Sequence, residues 1–320
     1  MKRKLLPLAI GAAIAMPGVA LAGPTVYGKV NVSLESYDND SYDQWEVNSN
    51  ASRLGVKGKE KITDSLSAVY KAEFEMYVDD GEKNANQTFK QRNIFGGLKG
   101  GFGEVIVGKF DSPLKTSQKK VDLFNDYKLG DIKNVLAGEN RTSNTIQYTT
   151  PDIGAFTAKV AIIPGEGECV AGSTGCDDGL ADGVSASVAY EQDGVYVALA
   201  ADSDVNSTDV IRLIAQADIA GVQAGLIYQE AKDANNSDVK QKGYVLSGAL
   251  DVSKDGVIKL QYAYSEVDEI DNEITQIALG YDHKLSKQTK LFTHYISLED
   301  ENGTSSDDKS TIAFGLEHKF

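Results

Sequence analysis

Apolar and polar residues alternate through this chain from about residue 23 to its end. In the final segment Ile312, Phe314, Leu316 and Phe320 share one face, and Thr311, Ala313, Gly315, Glu317 and Lys319 fill the places between. Near the start, Val26, Val30, Val32 and Leu34 lie opposite Lys29, Asn31 and Ser33; later, Ile258, Leu260, Tyr262 and Tyr264 lie opposite Lys259. A period of two is the mark of a strand with two different environments on its faces. Segments 103–110 and 288–298 alternate too poorly for their faces to be assigned. The connections fall into two kinds. Short ones, at 61–65, 100–103, 151–154, 191–194, 219–221, 252–256 and 285–288, carry the Gly, Asp, Asn or Ser that tight turns require. Between them come longer polar stretches near 38–47, 79–87, 111–143, 164–182, 202–207, 231–241, 267–273 and 299–309. Fifteen connections predict sixteen strands.

Short turns on one side and long loops on the other predict an all-β fold, a 16-stranded antiparallel transmembrane β-barrel. Ten alternating residues is the length a tilted strand needs to cross a bilayer. A charge on the lipid face costs kilocalories, which assigns Lys29 and Lys259 to a wet lumen. Many tyrosines near strand ends fit interfacial girdles. The longest connection, 111–143, carries Val121, Leu123, Phe124 and Leu129, which need a surface to pack against. A loop folded into the lumen meets that need.

The first residues have another character. Lys2, Arg3 and Lys4 precede an apolar stretch from Leu5 to Val19, and Ala20-Leu-Ala22 forms a cleavage site, so residues 1–22 read as a secretory signal peptide and 23–320 as a single barrel domain. Losing those three positive charges takes the formal net charge from −15 to −18. Such an acidic chain, with no basic stripe, is expected to repel nucleic acid. Cys169 and Cys176, in a short Gly-rich stretch of the fourth loop, are expected to form a disulfide after export. A metal site there lacks a nearby His.

Candidate catalytic chemistry is sparse. The histidines are His283, His294 and His318, and no Ser, Cys or Asp has the context of a triad. No nucleotide, phosphate-loop or metalloprotease motif occurs, so neither an enzyme nor a cofactor is expected.

Four motifs stand in order: Tyr27-Gly-Lys29, Ser52-Arg-Leu-Gly-Val-Lys-Gly58, Gly97-Leu-Lys-Gly-Gly-Phe-Gly103 with Val107-Gly-Lys109, and Arg141-Thr-Ser-Asn-Thr-Ile-Gln-Tyr148. With them, and with a terminal Phe320 like the insertion signal of outer-membrane barrels, the chain resembles the general diffusion porins of Gram-negative bacteria. The resemblance implies a homotrimer in outer-membrane lipid and lipopolysaccharide, with the third extracellular loop folded into the pore. It also implies a water-filled channel for ions and small hydrophilic solutes. Carried over motif by motif, a basic wall would hold Lys29, Arg53, Lys109 and Arg141, with Arg92 as a further member, facing the loop acids Asp122, Asp126, Asp131 and Glu139. The spacing of Asp122, Asp126 and Asp131 suits a short helical turn. The loop departs from the family pattern in carrying Lys119, Lys120, Lys128 and Lys133. An oligosaccharide-specific porin is an alternative, but Trp45 is the one tryptophan and a sugar slide would rest on tyrosines. A barrel enzyme would need a rim Ser-His or Asp-His pair that the sequence lacks. The acidic outer loops predict a weak cation preference at low salt that fades or reverses as salt screens them.

Overall fold

The computed structural model describes residues 23–79, 89–167, 178–236, 238–303 and 305–320. The expected signal peptide and Cys169 and Cys176 lie outside these residues. The described chain forms one antiparallel sheet. Its first half runs β1 (Thr25–Asn39), β2 (Tyr42–Ser49), β3 (Arg53–Lys61), β4 (Leu66–Met76), β5 (Phe89–Gly100), β6 (Gly103–Asp111), β7 (Arg141–Thr149) and β8 (Phe156–Ile163). The second half runs β9 (Gly183–Gln192), β10 (Val195–Ser203), β11 (Thr208–Ile219), β12 (Val222–Asp233), β13 (Lys240–Asp251), β14 (Gly256–Val267), β15 (Asn272–Lys284), β16 (Thr289–Asn302) and β17 (Ser305–Lys319).

Successive strands pair along the chain, except that β2 and β3 both pair with β1, and β1 also pairs with β17 from Lys29↔Lys319 to Asn39↔Lys309, which closes the sheet into a barrel. β2 and β3 are two parts of a single staple of that barrel. Both pair with β1, and their registers differ by one residue across Asn50–Ser52, where Ala51 takes φ 50°. Counted so, the barrel has sixteen strands. The interruption is a β-bulge, and bulges re-aim side chains. Here the backbone N–H of Asn31 donates to Ser52 Oγ (2.9 Å), which donates back to the Asn31 carbonyl, and Arg53 is set directly opposite Lys29.

Burial is inverted relative to a water-soluble protein. Ile211, Leu213, Leu226, Leu246, Leu260, Leu279 and Phe314 are exposed on the outer face, while Lys29, Asn31, Ser33, Glu35, Arg212 and Gln261 are buried on the inner one. Only lipid makes so large an apolar exterior favourable. The first and last strands, β1 and β17, have 15 residues each, more than the roughly 9–11 needed to span a bilayer. Their ends continue as paired hairpins beyond the membrane. The segments 38–47 and 299–309 are therefore mostly strand, with β1 reaching Asn39 and β2 starting at Tyr42. No described helix is long and apolar enough to cross a membrane.

At the seam, Gly28 and Phe320 exchange both backbone hydrogen bonds, and the Phe320 ring lies over Gly28 so closely that an added Cβ would stand 2.3 Å from it. Gly28→Val should displace the ring and open the closure. The expected result is a sharply lower yield of heat-modifiable folded protein on electrophoresis; an unchanged yield would show that the seam tolerates the loss.

Candidate pore constriction

Residues 112–140 leave the barrel wall after β6 and return to it at β7, folded inside the lumen. Ser112 caps a single helical turn, Pro113–Ser117, its side chain accepting from Lys115 N (3.1 Å). A second short turn, Ile132–Asn134, is capped by Asp131. The helical geometry thus stands at the two flanks, and Asp122 and Asp126 lie on the turns between them. One side of this loop is apolar: Leu114, Val121, Phe124, Leu129, Ile132, Val135 and Leu136 are buried against Ala198, Ile214, Ile227, Val245, Ala263, Ala278 and Ile296 of β10–β16. Small alanines on that wall make room for it. The hydrophobic core of the protein consequently lies inside the barrel, between loop and wall. β16 alternates poorly because its inward Phe292, His294 and Ile296 face this apolar underside rather than water. In β6 the cause is a register shift between Gly108 and Phe110, with Gly108 at φ 149°.

The other side of the loop faces a cavity of about 740 Å³. Asp126 reaches across its lower edge to the wall, forming ion pairs with Lys29 of β1 and with Arg53 of β3 (2.8 Å). Two like charges facing each other across a strand pair repel; the carboxylate between them offsets that cost. Burial pushes the Asp126 carboxyl up, but Arg53 and Lys29 outweigh it and hold it below the usual carboxylate range. Along the wall Arg92 of β5 pairs with Glu73 and Glu75 of β4, each at 3.1 Å. Arg141 of β7 pairs with Asp111 (2.9 Å) and donates to Asn93 Oδ1 (3.1 Å). Eight lysines and arginines line the cavity against five aspartates and glutamates.

Of the residues singled out in the sequence, Lys29, Arg53 and Asp126 come together, and Arg92 and Arg141 stand along the same wall. Lys109 lies beside the β6 register shift, opposite Ile94, and makes no ion pair among the described residues. Asp131 caps its turn and pairs with Lys133 (3.1 Å) at the cavity. Glu139 is almost wholly buried against Arg212 of β11 (2.7 Å). Asp122 is turned away from the cavity: its carboxylate accepts from the backbone N–H groups of Phe124 (3.2 Å) and Ile132 (3.1 Å) and ties the middle of the loop together. Burial, aided by the Asp131 carboxylate, pushes its pKa well up. The extra loop lysines are largely engaged, Lys119 with Glu191, Lys128 with Glu46 (3.0 Å) and Lys133 with Asp131. Sequence reasoning overlooked Glu73, Glu75 and Arg212, which carry no local motif; the alternation Lys71, Glu73, Glu75 in β4 was the available signal. Tyr127 is the one aromatic residue lining the cavity among the described residues, so no aromatic slide for sugar runs along it.

Comparison with known proteins agrees with this architecture. A family model described as Gram-negative porin matches residues 9–303. Outer membrane porin protein 32 of Delftia acidovorans is 28% identical over 95% of this chain and 92% of its own length. Among solved structures, the "Anion-selective porin from Comamonas acidovorans" superposes with a TM-score of 0.79 at 24% identity, covering 93% of this chain and 100% of that one. The trimer form of OmpT from Vibrio cholerae gives 0.68 at 16% identity, covering 94% and 100%. With a sixteen-stranded barrel, a lipid-facing apolar exterior and an inward loop, the chain belongs to the Gram-negative porin family and forms a diffusion channel in the outer membrane.

Proposed function

We propose that ions and small hydrophilic solutes pass between the inward loop and the wall β3–β7, at a constriction formed by Arg53, Arg92 and Arg141 facing Asp126. The bridge from Asp126 to Lys29 and Arg53 carries this reading, since it sets one edge of the passage. Opposed charges across a narrow wet gap orient dipolar solutes and order water, which disfavours apolar ones. The basic surplus along the cavity supports a preference for anions there, and a relative described as anion-selective fits it. The acidic outer hairpins, with Glu299, Asp300, Asp307 and Asp308 among them, oppose that preference at the mouth. Their reach falls from about 10 Å at 0.1 M salt to about 3 Å at 1 M. Reversal potentials in KCl gradients should accordingly move toward anions as salt rises; a cation preference that persists at molar salt would contradict a basic constriction.

The working unit is a homotrimer of mature chains cut after Ala22, embedded in lipopolysaccharide and lipid. The family membership and the trimer form of Vibrio cholerae OmpT support this assembly. Unheated protein should migrate well above monomer size on native electrophoresis and drop to it after boiling; migration at monomer size in both states would argue against the trimer.

A further inference from the structure

A loop packed against an apolar wall leaves its backbone N–H and C=O groups out of water, and each needs a partner. Between residues 120 and 137 most of the partners on the wall are glutamine side chains, joined by Arg212, which donates to Ala137 O (2.9 Å), and Lys259, which donates to Leu123 O (3.5 Å). Gln216 of β11 accepts from Lys120 N (3.2 Å), and Gln223 of β12 donates to Lys120 O (2.8 Å). Gln261 of β14 accepts from Leu123 N (2.8 Å) and donates to Gly130 O (3.1 Å), while Gln276 of β15 donates to Leu129 O (2.6 Å). Gln241 of β13 accepts from Ala137 N (3.0 Å) and donates to Val135 O (3.1 Å), and Gln229 of β12 donates to Ala137 O (3.0 Å). Five consecutive strands thus hold the loop from 120 to 137. Gln229, Gln261 and Gln276 are fully buried, and Gln261 also donates to Gln276 Oε1 (2.9 Å), which joins two of them.

An amide is suited to this task because it both donates and accepts, as a neighbouring strand would. It is also neutral, so the contact is neither screened by salt nor titrated by pH. We propose that this glutamine seam consists of positioning residues that fix the inward loop, and with it the pore cross-section, independently of the charges that tune selectivity. The proposal rests on the constriction reading above and assigns the loop's rigidity to β11–β15 rather than to the Asp126 bridge.

The test is single-channel current in KCl for Gln261→Leu/Gln276→Leu and for Gln261→Glu, beside Arg53→Ala/Arg141→Ala. The leucine pair should keep heat-modifiable mobility but flicker between conductance levels. Gln261→Glu should be steady at low pH, where the protonated acid still donates to Gly130 O, and flicker at alkaline pH, above the raised pKa of a fully buried carboxyl, where it cannot. Wild-type current should be steady at both. Should the leucine pair fail to assemble, the pH response of Gln261→Glu, refolded at low pH, decides alone. Steady currents in that variant at both pH values would overturn the seam. If the arginine variant still shifts selectivity in that case, the constriction stands without the seam; if selectivity is unmoved, the constriction reading itself fails.

Discussion

Replacing Arg53 and Arg141 together by alanine should raise the single-channel conductance and move the reversal potential toward cations. Both side chains line the cavity, so their loss widens it. Each also leaves an acid behind: Asp111 loses its 2.9 Å partner, and Asp126 keeps Lys29 alone. A unit charge about 4 Å from a passing ion is worth about 1 kcal/mol in water, roughly a fivefold change in relative permeability for each charge before screening. The change should therefore be largest at low salt. An unchanged reversal potential in a folded double variant would mean that these arginines do not line the narrow part of the path.

The second large effect concerns the apolar underside of the loop. Phe124 is fully buried, with Tyr127 at 6.2 Å between ring centroids and Lys259 Nζ 4.7 Å from its own. Its ring occupies the hollow over Gly280, where an added Cβ would come within 2.9 Å of it. Phe124→Ala removes a core aromatic, a loss of about 3–5 kcal/mol in comparable sites. None of the interstrand hydrogen bonds depends on it, so the cost should fall on the docking of the loop and not on the barrel. Electrophoretic heat-modifiability should stay near wild type while the open-channel current becomes larger and unsteady. A quiet current of wild-type size would show that the loop does not need this contact.

The sequence made the barrel legible because lipid imposes a period of two on every strand it touches, and because turn residues mark where strands reverse. It was less clear where one face met something other than lipid or water. β16 reads poorly because both of its faces are apolar, one toward lipid and one toward Phe124 and Tyr127. The hairpin ends at 38–47 and 299–309 read as loops because both of their faces are wet, so pairing persists there without alternation. On the wall beside the cavity, the family motifs led to Lys29, Arg53 and Arg141, and also to Lys109, which makes no ion pair among the described residues. The spacing of the loop acids was a weaker guide: it assumed helix across 122–131, where the chain instead turns around the Asp122 carboxylate. Arg212 and the six glutamines escaped notice because they are scattered over five strands. Their significance lies only in meeting the same stretch of loop.

Both the width of the passage and its selectivity depend on the inward loop lying inside the lumen. Asn125 is exposed on its wet side and lines the cavity. The most direct measurement is the single-channel conductance of Asn125→Cys before and after reaction with a bulky neutral thiosulfonate, with unaltered protein treated in parallel. A loop inside the lumen predicts a stepwise fall in conductance, one step for each modified channel, that a reducing agent reverses. A loop standing outside the barrel would be modified equally well and would leave the conductance where it was.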